Sequence, residues 1–201
     1  LSEVSRGSAS AAERDEELAL QQVLILCHSD DPVGIRAMNN LCAGLDFSRI
    51  EFVVTDIQRL AAWPSLDAFS VVVLSTSMLS KVSPDRFDAI RAFVEKGGGL
   101  VAACRLWHPK LAGLFGLPET KPALSVSEGL VVRGELFPGL ASLHSDIPGW
   151  NFRHSRIPTA AGSLPADCDV LADDGDGQPV LWMRDVGEGR VFYWNTASTD
   201  R

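Results

Sequence analysis

Cys104 has the sequence surroundings most suggestive of chemistry. It ends an apolar run in EKGGGLVAACRLWHP, residues 95–109, where a glycine cluster precedes it and Arg105, Trp107 and His108 follow. A cysteine at a turn between a strand and a helix can act as a nucleophile, because the turn places the thiol beside backbone N–H groups that stabilise an oxyanion. The alternative is a buried thiol that only packs, as is common for free cysteines.

A cysteine nucleophile also needs a tight turn, a base and a group that orients the base. Ala102 supplies a small residue two positions before Cys104, but the bulkier Leu106 stands two positions after it. The candidate bases are His108, which follows closely, and His144, which lies in an HSD motif. These residues favour a chain without catalytic activity and leave a cysteine-dependent hydrolase or amidotransferase as the alternative.

A second group of residues suits binding. The stretch GWNFRHSRIP, residues 149–158, brings aromatic and cationic side chains into a predicted loop, where they suit stacking on a sugar or holding a carboxylate. Trp182 and Trp194 are expected to pack on a hairpin instead. The candidate ligand-binding residues are His28, Asp30, Arg105, Trp107, Trp150, Arg153 and His154.

The amino-acid composition excludes several classes of binding partner. The chain has 201 residues, 46% of them hydrophobic, and a net charge of −8, which argues against nucleic acid as a partner. No apolar run reaches the roughly 18 residues of a membrane-spanning helix. The cysteines form no C-x-x-C motif, and no metal or cofactor is expected. The acidic turn Asp173–Asp176 suggests calcium but lacks the later bidentate glutamate, so a solvated turn is favoured.

The elements that must position these residues alternate along the chain. QQVLILCH, RIEFVVTDI, DAFSVVVLSTS and GLVAAC read as buried strands, and SPDRFDAIRAFVEKGG is the clearest helix. The alternation predicts an α/β, flavodoxin-like, doubly wound and mainly parallel sheet with helices on both faces. PVLWMRDVGEGRVFYWN adds a C-terminal antiparallel hairpin at one edge. Ligands of such sheets bind beyond the carboxyl ends of the parallel strands, an edge called the rim below.

The predicted domain occupies residues 21–197. Residues 1–20 read as a polar linker, and residues 118–165 as a loop-rich insertion over the rim. Residues 198–201 read as the start of a linker to a following domain. Binding of a nucleotide or flavin is the least favoured function, because the first strand leads into the acidic CHSDDPVG, which would repel phosphate.

The strand order, FVEKGGGLVAAC and VGEGRVFYWNT together resemble the class I glutamine amidotransferase-like superfamily, in its ThuA-like and β-galactosidase trimerisation branches. The resemblance covers about residues 21–197 and places Cys104 at the nucleophile position. In catalytic members the strand after the hairpin turn leads to a histidine, whereas Tyr193–Thr196 contains none. The resemblance therefore implies a non-catalytic member.

The chain is also similar to the amidotransferase-like domain beside polysaccharide deacetylases of the Pel type. This similarity implies a module of a larger bacterial envelope or exopolysaccharide protein, whose parent is a polysaccharide deacetylase or hydrolase. The implied role is glycan binding or domain packing, with carbohydrate or neighbouring domains as partners. It implies a periplasmic location, with the cytoplasm as the alternative, and leaves a homo-oligomer open.

Overall fold

The computed structural model describes residues 22–28, 32–57, 64–75, 82–103, 105–121, 123–133, 153–159 and 164–198. The strands are β1 (Val23–Cys27), β2 (Phe52–Asp56), β3 (Val71–Ser75), β4 (Gly99–Ala103), β5 (Ser125–Glu128), β6 (Val131–Val132), β7 (Arg153–Arg156), β8 (Cys168–Asp173), β9 (Pro179–Val186), β10 (Gly189–Trp194) and β11 (Thr196–Ser198). The helices are α1 (Pro32–Phe47), α2 (Pro84–Glu95) and α3 (Pro109–Ala112), with 3-10 turns at Leu66–Ala68 and Gly113–Phe115.

An eight-stranded sheet in the order β2-β1-β3-β4-β10-β9-β8-β6 forms the centre of the domain. The first five strands in this order are parallel, and β9, β8 and β6 continue the sheet in antiparallel fashion. This arrangement confirms the predicted α/β fold with a mainly parallel sheet. The hairpin of β9 and β10 connects the parallel half of the sheet to the antiparallel half. Its strand β10 pairs with β4 in parallel, and its strand β9 pairs with β8 in antiparallel fashion.

Helices cover both faces of the parallel half, which explains why its strands are continuously apolar. In β1, Leu24 and Leu26 belong to the core cluster that includes α2, whereas Val23 and Ile25 belong to the cluster that includes α1. The α2 face is the predicted one, formed by Phe87, Ile90, Phe93 and Val94. Among the described helices, none combines the length and apolar character that a bilayer crossing requires.

The two glycine-rich motifs meet at the end of the sheet opposite the rim. The turn between β9 and β10 lies against the end of α2, and the Glu188 N–H donates to the Glu95 carbonyl over 3.1 Å. A Cβ atom added at Gly189 would lie 2.1 Å from the Val94 carbonyl oxygen and 2.4 Å from that of Gly98. Only glycine allows this approach of backbone to backbone. The motifs that suggested the superfamily therefore form one packing contact.

A second, three-stranded sheet in the order β11-β7-β5 lies next to the rim. Its position follows from β11, which begins one residue after β10 ends. The sheet corrects the prediction of a loop at residues 149–158, because Arg153–Arg156 forms its central strand. Its polar sequence, RHSR, lacks the apolar alternation that indicates a strand, and the burial of Arg156 depends on its ion pair with Asp174.

Candidate functional site

The rim collects the carboxyl ends of β2, β1, β3, β4 and β10. His28 follows β1 and is buried, and Arg105 lies just beyond β4. The structure thus brings two of the predicted binding residues to the rim. Four predicted residues lie outside the described part of the chain, so their roles stay predictions: Asp30, Cys104, His144 and Trp150.

The chain leaves β4 without passing directly into a helix. Residues 105–108 contain no helix, and α3 begins only at Pro109. Arg105 has a left-handed backbone conformation, with φ of +51°, and its N–H donates to the Trp194 carbonyl over 2.9 Å. Leu106 is fully buried, and its carbonyl accepts a 2.7 Å hydrogen bond from the Tyr193 hydroxyl. A nucleophile elbow joins its strand and helix in one sharp turn, which this connection does not do.

His108, one of the two candidate bases, has contacts that stabilise the fold. It is the N-cap of α3, where its Nδ1 accepts a 3.3 Å hydrogen bond from the Lys110 N–H. Its ring stacks on Phe87 with 3.8 Å between centroids. Burial, and secondarily the charge of Lys110, lower the pKa of His108, which favours the neutral ring. A role as base for Cys104 stays a prediction.

Asn195 follows β10, in the region where the resemblance places a catalytic histidine. Its side chain is fully buried and binds the backbone of Ile157 twice: Oδ1 accepts from the N–H over 3.1 Å, and Nδ2 donates to the carbonyl over 2.8 Å. Its own N–H donates to the Val180 carbonyl over 2.8 Å. Sequence reasoning noted the missing histidine but not this role. Asn195 joins the central sheet to the segment that follows β7.

Among the tryptophans that the structure describes, Trp194 differs from expectation. Trp107 is half-buried, and its indole N–H donates to the Pro118 carbonyl over 3.0 Å. Trp182 is fully buried, as a packing residue should be. Trp194 is 38% exposed, contrary to the expectation that it packs on the hairpin, and its indole N–H donates to the Thr196 hydroxyl. Because side chains alternate along a strand, Trp194 points away from the face that buries Tyr193.

The candidates on β7 have opposite environments. Arg153 is exposed, whereas His154 is fully buried. Their binding roles stay predictions.

The acidic turn after β8 holds a buried ion pair at Asp174, which corrects the expectation of a solvated turn at that residue, whereas Gly175, Asp176 and Gly177 are exposed as expected. Asp174 is 1% exposed, and its Oδ2 accepts a 2.5 Å hydrogen bond from Arg156 Nε. Its Oδ1 accepts the N–H groups of Asp176 and Gln178 over 3.0 and 2.9 Å. The Ser127 hydroxyl donates to Asp176 over 2.8 Å. These carboxylates therefore tie the small sheet to the main one.

The described residues contain no group of three or more side chains suited to hold a metal ion.

Arg105 differs from the other buried cations of the domain. Its Nε atom is buried without a hydrogen-bond partner, and its guanidinium forms no ion pair with a described residue. Arg184 also has a buried Nε, but its terminal nitrogens donate to Asp167 and to the Gly113 carbonyl. A positive charge without an ion pair to a described residue therefore lies at the rim. It is close enough to Tyr193 to oppose the rise in the pKa of that hydroxyl, which burial causes.

Solved structures with the same fold include several carbohydrate enzymes. The β-galactosidase from Bacillus circulans sp. alkalophilus is 15% identical with a TM-score of 0.56, over 90% of this chain and 29% of that one. The carbohydrate deacetylase Agd3 is 13% identical with a TM-score of 0.55, over 89% of this chain and 29% of that one. A ThuA-like protein from Bacteroides uniformis ATCC 8492 is 16% identical with a TM-score of 0.54, over 90% and 83%.

No protein-family model and no curated protein matches the sequence. This chain spans about three-tenths of the β-galactosidase and of the deacetylase, and most of the ThuA-like protein. The fold is therefore the one expected from the ThuA-like and β-galactosidase branches of the resemblance.

Proposed function

We propose that this chain is a non-catalytic, amidotransferase-like module of a larger bacterial envelope or exopolysaccharide protein, which binds glycan or packs against neighbouring domains. The observation on which this rests is the carboxyl end of β10. There Tyr193 and Asn195 bind the backbone of Leu106 and Ile157. In catalytic members of the superfamily that the sequence resembles, this region leads to a histidine. Here the side chains of Tyr193 and Asn195 form hydrogen bonds that stabilise the fold.

The structural neighbours support the carbohydrate part of the proposal. Among them, a β-galactosidase and a carbohydrate deacetylase contain this fold as a minor portion of a longer chain. We infer that a module within such an enzyme lies close to the carbohydrate on which the enzyme acts. The proposal includes a periplasmic location, where exopolysaccharide is processed.

Glycan binding is tested by titrating the chain with soluble oligosaccharides. Tryptophan fluorescence is recorded in one titration, and the heat of binding is measured in a parallel calorimetric titration. We expect saturable quenching by at least one glycan class, and a weaker response in Trp194→Ala than in Trp182→Phe, whose indole is buried. Absence of any response to a broad panel would remove the glycan-binding role and leave domain packing.

The catalytic alternative is tested by the pH dependence of alkylation at Cys104, followed residue by residue with mass spectrometry. Cys27, Cys42 and Cys168 serve as internal references, because burial raises the pKa of each thiol. We expect Cys104 in the folded chain to react no faster than in the unfolded chain. A Cys104 thiolate that titrates well below about 8.5, and shifts in His108→Asn or His144→Ala, would contradict the non-catalytic proposal.

A further inference from the structure

The strand β2 forms a lateral edge of the eight-stranded sheet, and no described strand pairs with its outer side. The Glu51 carbonyl accepts an N–H of β1, and the Ile57 N–H donates to a carbonyl of β1, both over 3.0 Å. Successive residues of a strand direct their backbone groups to opposite sides, so the N–H and C=O groups of Phe52 and Val54 point away from β1. A row of such groups is a template for another strand.

The side chains along this edge are apolar and exposed. Val53 and Val54 are 39% and 47% exposed, and they point to opposite faces of the sheet because side chains alternate along a strand. Phe47, at the end of α1, is 91% exposed, and Ile50, in the turn that leads to β2, is exposed as well. Exposed apolar residues that are concentrated in one place mark a surface that binds another protein.

The other lateral edges have features that discourage pairing with another chain. β6, at the opposite edge of the main sheet, has only two residues, and an ion pair between Arg133 and Asp173 lies at its end. In the small sheet, β11 has three residues, and β5 has the polar sequence SVSE. Short edge strands and charged side chains are the usual protection of an edge. β2 has five residues, and its one charged residue, Asp56, stands at its carboxyl end.

We propose that two copies of this chain pair through β2 in antiparallel fashion, about a two-fold axis at Val53, so that their central sheets become one. A second copy is the occupant because β2 is self-complementary in this register. Phe52 of each copy lies opposite Val54 of the other copy, and these are the residues whose backbone groups point outward. Val53 lies opposite Val53 of the second copy, as a two-fold axis requires.

The charges near the ends of β2 support the same register. Glu51 lies opposite Thr55 of the second copy, so no like charges meet directly. The exposed Arg49 comes to the end of the interface where Asp56 of the second copy lies, which brings opposite charges together at both ends. Moving the axis by one residue in either direction would instead place an apolar side chain of β2 opposite a carboxylate.

The pairing has a consequence for the rim. The strands of the two copies run in opposite directions, so the two rims lie at opposite ends of the joined sheet. Because the interface is a lateral edge of the sheet, the inference does not depend on glycan binding. A chain that binds no glycan would still dimerise, and a monomeric chain could still bind one.

The test is sedimentation equilibrium of the full chain over micromolar to millimolar concentrations, where we expect a reversible equilibrium between monomer and dimer. Val53→Lys and Val53→Glu should each raise the dissociation constant of the dimer at least about tenfold, because the axis places like charges directly opposite each other. An equimolar mixture of the two variants should recover the dimer, because opposite charges then meet at the axis. Val131→Lys, at a similarly exposed valine of the edge strand β6, is the matched control and should dimerise like the wild type.

Val53→Cys measures the same register independently. The two thiols would lie at a position of the strand pair without mutual hydrogen bonds, where Cα atoms are about 4.5 Å apart, within the range that a disulfide spans. Oxidised glutathione should therefore convert the variant to a covalent dimer on a non-reducing gel, with release of reduced glutathione. The wild type, with its native cysteines, and Val131→Cys are the controls, and both should stay largely uncross-linked.

Several results would overturn the inference. One is a wild type that stays monomeric at the highest concentration. Another is a Val53→Lys variant that dimerises as tightly as the wild type, and a third is a mixture of the two charged variants that does not recover the dimer. Circular dichroism shows whether the charged variants fold. If they do not fold, the cross-link decides, because a Val53→Cys variant that forms no more covalent dimer than Val131→Cys would refute the pairing.

Discussion

Substitution of Gly189 by alanine tests whether the glycine motif acts through packing. The new Cβ would meet two backbone oxygens, those of Val94 and Gly98, at 2.1 and 2.4 Å, and no flexible side chain is present to yield. The turn must then move away from α2, which breaks the hydrogen bonds Glu188 N–Glu95 O (3.1 Å) and Arg190 N–Gly98 O (3.3 Å). Each bond contributes about 1 kcal/mol. Repacking costs about 1–3 kcal/mol more, so the free energy of unfolding should fall by about 3–5 kcal/mol.

Urea and thermal unfolding followed by circular dichroism measure this change. At about 2–4 °C per kcal/mol for a chain of this size, the melting temperature should fall by roughly 6–20 °C. The matched control is Gly44→Ala within α1, where an added Cβ meets no atom within 4 Å. That variant should gain about 0.5–1 kcal/mol, because alanine favours helix. A Gly189→Ala variant within about 1 kcal/mol of the wild type would refute the packing argument.

Three further predictions concern the contacts around the rim. Asn195→Ala should lower the free energy of unfolding by about 2–4 kcal/mol, since it leaves both backbone groups of Ile157 without partners. Chemical denaturation measures this change. An unchanged free energy of unfolding would contradict a stabilising role of the two hydrogen bonds from Asn195 to Ile157. Asp174→Asn should cost about 3–5 kcal/mol by stranding the buried charge of Arg156, and Asp174→Asn with Arg156→Met should cost less than the sum of the single changes. A strictly additive double-mutant cycle would argue against the pair. His108 has a lowered pKa in the folded state, so below about pH 6.5 the unfolded chain binds more protons and stability declines as pH falls towards the folded pKa. His108→Asn keeps an N-cap side chain and should flatten this decline in unfolding measured between pH 7.5 and 5; an unchanged profile would contradict the assignment.

The central sheet was predictable because its signals are local. β1 is a continuous run of apolar residues, and α2 starts with Ser83 and Pro84 and ends before Gly97. The small sheet was missed for the opposite reason. Its strands read SVSE, RHSR and TAS, and the central one is buried because Arg156 meets Asp174, which lies 18 residues away along the chain. The residue pattern of a single strand cannot predict an ion pair with a residue so far along the chain.

The candidate site was predictable in position and less so in detail. The rule that ligands bind at the carboxyl ends of parallel strands led to Arg105. It could not distinguish the exposed indole of Trp194 from the buried one of Trp182, since both lie on hairpin strands and their exposure depends on which face of the sheet is covered. The role of Asn195 depends on Ile157, 38 residues earlier in the chain.

The two glycine motifs lie far from the rim, and this location explains why a distant sequence resemblance predicts the fold more reliably than the activity. EKGGG and GEG meet at the end of the sheet opposite the rim, where the close approach of Gly189 to the carbonyl of Val94 requires glycine whatever happens at the other end. A chain can therefore retain this signature while its rim changes freely. Here the side chain of Asn195, just after β10, binds the backbone of Ile157 and so connects the rim to the segment after β7. Comparisons of relatives should accordingly use rim residues, not the glycine motifs, to separate catalytic members from binding modules.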